Sequence, residues 1–327
     1  MFPGGCLWKG GVCMQLDSSI VSLLRCGSYR SAVLEERFDL LLQSIDWPPY
    51  LHGQRVLLKP NLLTAARGPL PCTEASFILA AARWFLDAGA RVVIGDSPAF
   101  GSARVNLQRL GLEQELIALG VFISDFRRSR ISLLDSGIKA GIAEDVFDCD
   151  LLVNLPRIKA HAQTRVTMAV KNCFGCLTGL QKPWWHMIHG GQSGHFSDLL
   201  LELLTVLPPT LTLVDGIRAM HCTGPINGKP YPLRVVAAGT NPVAMDSAFL
   251  DLLGISEKDS PLQVAAMHGS IVGSRKEDIS YPLSSPADVR AGGFSVPVTL
   301  NPIRFRPFSF VRSTVRRAIG TVKSKVP

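Results

Sequence analysis

Residues 154–195 contain the densest group of chemically active side chains in the sequence. The segment has five Lys or Arg residues and four of the seven histidines, but no Asp or Glu. When such a segment lines a cleft, its uncompensated positive charge attracts a small anion. Carboxylate and phosphate groups are the natural partners, and Arg165 can bind either one through two parallel hydrogen bonds. The sequence therefore predicts a site for a small anionic substrate, with Lys159, Arg165, Asn172 and Lys182 as binding residues.

The same segment carries a second pattern, in which two cysteines and two histidines occur as spaced pairs. Cys173 and Cys176 form a CxxC pair, and His186 and His189 follow with the same separation. A structural zinc site needs four such ligands, so one hypothesis is a metal centre that holds nickel, iron or zinc. The alternatives are a redox pair of thiols and two buried cysteines that act only as small apolar side chains. The residue types leave these alternatives open.

This chemistry requires elements that bring distant residues together, and the hydrophobic pattern predicts a sheet that does so. Short apolar runs alternate with helical patterns, which is typical of α/β proteins. Ligands of open α/β sheets bind outside the carboxyl ends of the strands, although Asp and Asn are also frequent turn residues. We therefore predict an α/β fold with a mainly parallel sheet, helices on both faces and an active cleft at the strand carboxyl ends. The apolar runs at 55–58, 91–94, 151–153, 211–214 and 234–238 are followed by Asn61, Asp96, Asn154, Asp215 and Asn241.

Two further lysines belong to this predicted edge. Lys59 directly follows the first apolar run, and Lys229 lies in the turn-rich loop 224–230, whose glycines allow close approach to a ligand. Both are predicted to bind substrate, together with Asn61 and Asn154.

Helical spacing predicts helices at 73–88, 107–119, 197–206 and 243–253. The predicted organisation is an N-terminal extension with a first α/β element (1–50), a main α/β domain (51–290) with two possible lobes divided near 150, and a C-terminal tail (291–327).

Composition excludes several classes of protein. The chain of 327 residues has 47% hydrophobic and 18% charged residues, which does not fit a disordered chain or a coiled coil. No apolar run approaches the length of a membrane span, and no secretory signal pattern is found at the start. Eight cysteines in a chain of this size are expected to be reduced thiols in the cytoplasm. The spacings of a Walker A loop, a GxGxxG fingerprint and a GxSxG elbow are all missing.

The positive charge of the chain is confined to its C-terminal tail. The net charge is +8, and the eight cations that follow Asp288 account for all of it, so the body is neutral. A neutral body argues against nucleic-acid binding. In the tail, apolar residues recur every three or four positions from Phe308 to Val326, with Arg and Lys between them. This basic amphipathic pattern predicts either peripheral contact of 307–327 with an anionic membrane surface or docking on the body.

Several long motifs, in order, resemble a known family, the domain of unknown function DUF362. The resemblance runs from about Val56 to about Gly254 and places the protein in that family without implying a reaction. Many members carry a ferredoxin-like module with closely spaced cysteines for 4Fe–4S clusters, and this chain has no such run. A separate ferredoxin is therefore the redox partner that the resemblance implies. The motifs are LLKPNL, VVIGDSP, DLLVNLPRIKAH, VTMAVKNCFGCLTGLQK, LVDGIRAMHCTGPINGKP and AGTNPVAMDSAFLDLLG.

A more remote resemblance is to the nickel-pincer lactate racemase family. The order of His161, Lys171 and His186 is similar to the order of a basic His, a Lys that attaches the cofactor and a His that ligates nickel. This resemblance implies proton or hydride transfer at a 2-hydroxy acid, with His161 as the base.

The leading hypothesis is a cytoplasmic enzyme, linked to a metal or to redox chemistry, that acts on a small anionic substrate. Its predicted catalytic residues are His161, Lys171, Asp96 and Asp215. The alternatives are a metal-binding or iron–sulfur delivery module that uses Cys173, Cys176, His186 and His189, and a nickel-pincer type of racemase. Contact of the tail with the inner membrane face is a further prediction.

Overall fold

The computed structural model describes residues 19–179, 181–188 and 195–300. These residues form ten α-helices and twelve β-strands. The strands are β1 Ser22–Arg25, β2 Arg55–Pro60, β3 Arg91–Gly95, β4 Phe122–Ser124, β5 Ser129–Leu133, β6 Lys139–Ala143, β7 Leu151–Leu155, β8 Arg157–His161, β9 Arg165–Thr167, β10 Thr210–His221, β11 Lys229–Tyr231 and β12 Val235–Gly239. The helices are α1 Ser31–Gln43, α2 Ala75–Asp87, α3 Ala103–Arg109, α4 Glu113–Ala118, α5 Glu144–Phe147, α6 Ala169–Cys173, α7 Gln181–Ile188, α8 His195–Thr205, α9 Pro242–Leu253 and α10 Pro261–His268.

The main sheet confirms the predicted α/β fold with a mainly parallel sheet. Its strand order is β1-β12-β10-β7-β2-β3-β4. The neighbours from β10 to β4 are parallel, whereas β12 is antiparallel to both β10 and β1. The carboxyl ends of five parallel strands therefore meet at one edge of the sheet.

Helices cover both faces of this sheet. Successive side chains of a strand point to opposite faces, and each face has its own helices packed on it. In β2, Val56 and Leu58 belong to a core with α1 and α2, whereas Leu57 belongs to a core on the other face with α8. A third core packs α9 against β12 and β10. Both faces of the parallel strands are thus buried, which explains their nearly continuous apolar sequences.

Three sequence predictions differ from the structure. The helix predicted at 107–119 is divided into α3 and α4, because Gly111 adopts a positive φ of 76° between them. Asn241 follows β12, whose antiparallel direction puts its carboxyl end at the other edge of the sheet. Asn241 is instead the N-cap of α9, where its side chain accepts hydrogen bonds from the Val243 and Ala244 amides.

The third difference is that the central strands continue beyond the carboxyl edge. After Pro156 the chain resumes as β8, which pairs with the second half of the long β10. Two hairpins extend this part, β8 with β9 and β10 with β11. Lys159 and His161 therefore lie on a strand that forms a wall above the edge.

In the described part of the chain, no helix combines the length and the apolar character needed to cross a bilayer.

Candidate functional site

Strand β8 presents a row of three buried cationic or basic side chains. Arg157, Lys159 and His161 alternate with Ile158 and Ala160, so the three share one face of the strand. All three are at most 2% exposed. This face lies against the loop between β2 and α2, which supplies carbonyl and amide oxygens to the row.

Lys159 lies at the centre of this row and is held by neutral oxygens. Its Nζ donates to Asn61 Oδ1 at 2.8 Å and to the Pro71 carbonyl at 2.9 Å. Burial lowers the pKa of Lys159 to about 7, and the positive charges of Lys171 and Arg157 add to this effect. Lys159 forms no salt bridge with any described residue. A negative charge that enters the site would therefore stabilise the ammonium form of Lys159.

A buried ion pair joins the ends of β2 and β3. Lys59 Nζ lies 2.9 Å from Asp96 Oδ1 and donates to the Pro60 carbonyl. Asp96 Oδ2 accepts from the Leu62 amide, and Oδ1 accepts from the Ser97 amide. Both carboxylate oxygens are thus occupied, and Asp96 orients Lys59 and two loop backbones.

Gly175 packs directly on this ion pair. A Cβ at Gly175 would lie 2.3 Å from Asp96 Oδ1 and 2.4 Å from Lys59 Nζ, so no larger residue fits without displacement. The Gly175 carbonyl accepts from the Ser97 amide, and Lys182 donates to the Ser97 carbonyl. The 3₁₀ turn Phe174–Cys176 and helix α7 are therefore fastened to the end of β3.

Lys171 completes a group of four amines at the carboxyl edge. We call Lys59, Lys159, Lys171 and Lys182 the lysine cluster. Lys171 is partly buried on α6, its Nζ lies 5.8 Å from the centre of the Phe174 ring, and it forms no hydrogen bond or salt bridge with the described residues. Burial lowers the pKa of Lys171 to about 8.

Helix α6, which carries Lys171, is positioned by two buried amides and one buried carboxyl group. Asn154 donates to the Ala169 carbonyl, and Asn172 donates to Asn154 Oδ1 at 2.7 Å and to the Lys59 carbonyl. At the start of the helix, Asp246 Oδ1 accepts from the Ala169 amide at 2.7 Å. Asn154 and Asn172 thus position the cluster through their hydrogen bonds.

Asp215 lies within a separate buried network beside Arg157. Asp215 accepts from the Tyr29 hydroxyl at 2.7 Å and from the Glu74 amide at 2.9 Å, and Arg157 Nε lies 3.9 Å away. Burial raises the pKa of Asp215, although the Arg157 charge opposes this shift. Arg157 also donates to the Cys72 and Arg218 carbonyls, which links β8, β10 and the start of α2.

His161 is buried at the end of the row, where β8 turns into β9. Its Nδ1 accepts hydrogen bonds from the Gln163 and Thr164 amides, at 3.1 and 3.3 Å. In a neutral imidazole the proton then resides on Nε2, which is a donor. The structure therefore brings His161 to the wall of the site as a hydrogen-bond donor in its neutral form.

Two predicted binding residues lie away from the lysine cluster. Arg165 has a positive φ of 68° and donates to the carbonyls of Asp259, Pro297 and Val298. It thereby fastens the first residues of the predicted C-terminal tail (291–327) to the body. Lys229 is exposed on β11, where it pairs in register with His221.

The cysteines of the predicted metal site are buried thiols. Cys173 and Cys176 are 0% exposed, and burial raises the pKa of Cys176 to about 12 and that of Cys173 well above its usual value. Metal ligation needs thiolates, and no three His, Cys, Asp or Glu side chains come together as a ligand set among the described residues. The described residues therefore place no third ligand beside Cys173 and Cys176, and the metal site stays a prediction. The side chain of His186, and His189 entirely, lie outside the described residues.

Sequence reasoning missed three residues that shape the site. Arg157 was visible as the first member of the period-2 series in RIKAH, which indicates a strand. Asp246 was visible as a charged residue inside an apolar helix pattern. Gly175 gave no signal, because its close contact with Lys59 and Asp96 comes from residues more than 70 positions away in the chain.

Comparison with known proteins identifies relatives along most of the chain. The family described as "Domain of unknown function (DUF362)" matches residues 56–251. The thylakoid-associated protein sll1697 of Synechocystis sp. is 35% identical over 300 residues, which cover 90% of this chain and 93% of that protein.

A solved structure overlaps part of the fold. The lactate racemase apoprotein from Thermoanaerobacterium thermosaccharolyticum superposes with a TM-score of 0.39 and 14% sequence identity, over 59% of this chain and 50% of that chain. An overlap of this size assigns no role to any residue.

Proposed function

The chain belongs to the DUF362 family, and we propose that it is an enzyme that binds a small carboxylate or phosphate compound at the lysine cluster. One observation carries this proposal. Lys159 Nζ is buried and donates to two neutral oxygens, Asn61 Oδ1 and the Pro71 carbonyl, and neither Lys159 nor Lys171 forms a salt bridge with the described residues. A buried ammonium group without a carboxylate partner, at the ligand edge of an α/β sheet, is stabilised by an incoming anion.

The remaining residues would orient that anion. Lys59 and Lys182 are occupied by Asp96 and by backbone carbonyls, so they add positive potential and hold the surrounding loops. His161 would contribute a neutral N–H donor. The proposal rests on the lysines alone; a metal held by Cys173, Cys176, His186 and His189, and a separate ferredoxin as redox partner, remain predictions.

Calorimetric titration with oxalate and with inorganic phosphate tests the proposal. We expect wild-type protein to bind at least one of the two anions with one site per chain, and Lys171→Met to weaken this binding by roughly tenfold or more, the size of one charge-assisted contact. Lys276→Met, which changes an exposed lysine outside the site, serves as the matched control. Equal binding by all three proteins, or no binding by wild type, would contradict the proposal.

We further propose that the tail 307–327 makes peripheral contact with an anionic membrane surface. The support is its basic amphipathic sequence and the name of the thylakoid-associated relative. The test is co-sedimentation with vesicles that contain anionic lipid. The full chain is compared with a variant in which Arg312, Arg316 and Arg317 are replaced by Glu. Unchanged sedimentation of this variant would overturn the proposal.

A further inference from the structure

We propose that Lys171 is a nucleophile that forms an imine with the carbonyl group of a small aldehyde or ketone bearing a carboxylate or phosphate. This inference deepens the proposed function, because the anionic group would be bound by the same lysine cluster. It adds a substrate class and a covalent step.

The contacts of the four lysines distinguish Lys171 from the others. Lys59 is bound to Asp96, Lys159 to Asn61 Oδ1 and the Pro71 carbonyl, and Lys182 to the Ser97 carbonyl. Each of these three amines would have to break an existing hydrogen bond before it could attack a substrate. The Lys171 amine has no hydrogen-bond partner among the described residues and lies over the Phe174 ring, 5.8 Å from the ring centre. It is also partly exposed, whereas Lys59 and Lys159 are at most 2% exposed.

The surroundings of Lys171 favour the neutral amine, which is the form that attacks. A lysine becomes nucleophilic when it is desolvated, and burial lowers the pKa of Lys171. With a pKa of about 8, roughly a tenth of the amine is neutral at pH 7, compared with a negligible fraction for an ordinary lysine.

The step is chemically balanced without an oxidant or a reductant. The lone pair of Lys171 Nζ attacks the carbonyl carbon, and the carbonyl oxygen takes a proton to give a carbinolamine. A second proton on that oxygen lets it leave as water while the nitrogen loses its hydrogens to form the C=N bond. The sum is carbonyl compound plus amine to imine plus water. The Lys159 ammonium is the nearby group that can supply a proton and bind the carboxylate or phosphate.

Reductive trapping tests the inference. Wild-type protein is incubated with glyoxylate and cyanoborohydride, and the product is analysed by intact mass and peptide mapping. We expect one carboxymethyl group per chain, located on Lys171, and much slower labelling by glycolaldehyde, which has the aldehyde but no anionic group. Lys171→Arg keeps the positive charge but cannot form the adduct, so we expect it to lose this label. Lys276→Met is the matched control and should be labelled like the wild type.

The outcomes separate this inference from the proposed function. Oxalate should bind competitively and suppress the label on Lys171. Binding of oxalate with glyoxylate adducts spread over exposed lysines, such as Lys258 and Lys276, would overturn the imine but leave the anion site intact. Absence of both oxalate binding and selective labelling would overturn the two proposals together.

Discussion

Lys59 Nζ and Asp96 Oδ1 lie 2.9 Å apart at the carboxyl ends of two neighbouring parallel strands, and their side chains are 1% and 6% exposed. The pair therefore fixes the relative position of the β2 and β3 loops beneath the rest of the site. Because both charges are desolvated, each depends on the other for compensation.

Replacing Lys59 with Met should strongly destabilise the protein. The substitution leaves Asp96 as an uncompensated buried charge, and we expect a loss of about 3–5 kcal/mol in the free energy of unfolding, measured by denaturant titration. The double variant Lys59→Met/Asp96→Asn removes both charges and should recover part of that loss. The pair of the exposed Arg128 with the partly buried Glu144 is the control, and Arg128→Ala should change stability by about 0–1 kcal/mol. Similar losses for the buried pair and the control pair would contradict this account.

Gly175→Ala should disturb the same ion pair by steric overlap. Its Cβ would lie 2.3–2.4 Å from side-chain atoms of Asp96 and Lys59, so either this buried ion pair or the 3₁₀ turn Phe174–Cys176 must shift. We expect destabilisation of about 1–3 kcal/mol and weaker oxalate binding in the same variant. Gly292→Ala, where an added Cβ meets nothing within 4 Å, should be close to neutral. A stable Gly175→Ala variant with unchanged binding would show that the contact is unimportant.

Anion binding should take up protons and weaken as the pH rises. The pKa values of Lys159 and Lys171 are lowered to about 7 and about 8, so both amines lose their protons around neutral pH. A bound anion favours the ammonium forms and raises both pKa values. We therefore expect oxalate affinity to fall between about pH 7 and pH 9. Calorimetry in buffers of different ionisation enthalpy measures the proton uptake, which should decrease in Lys171→Met; proton release on binding would contradict the prediction.

The carboxyl group of Asp246 should make stability depend on pH in the opposite sense to most carboxylates. Burial raises its pKa to about 8, although two backbone amides donate to Oδ1 and oppose the shift. The folded protein keeps this proton up to about pH 8, whereas the unfolded chain releases it near pH 4. This contribution to stability therefore falls as the pH rises through that window. Asp246→Asn keeps an acceptor for the Ala169 amide and should remove the dependence. Denaturant unfolding of both proteins at pH 5 and pH 8 measures the difference; identical pH profiles would contradict it.

The sequence by itself predicted the α/β class, the parallel strands and a cationic site at their carboxyl ends. These features follow from local patterns, since apolar runs of strand length and helical spacing are set by residues close together in the chain. Asn61, Asp96 and Asn154 were found in the same way, because a polar residue directly after a parallel strand is brought to that edge by the strand itself. Lys159 was predicted from the absence of acidic residues in 154–195, whereas Lys171 was predicted from the resemblance to the lactate racemase family.

Only the tertiary structure decided which of these groups already have hydrogen-bond or ion-pair partners within the protein. Strand direction removed Asn241 from the edge, because parallel or antiparallel pairing depends on distant partners. Arg165 binds carbonyls near residue 298, and the Lys59 amine is held by Asp96. The Lys171 amine lies over an aromatic ring and has no hydrogen-bond partner among the described residues. Burial and contacts across long chain separations determine whether a lysine is a structural ion or an available amine. Sequence spacing carries no information about them.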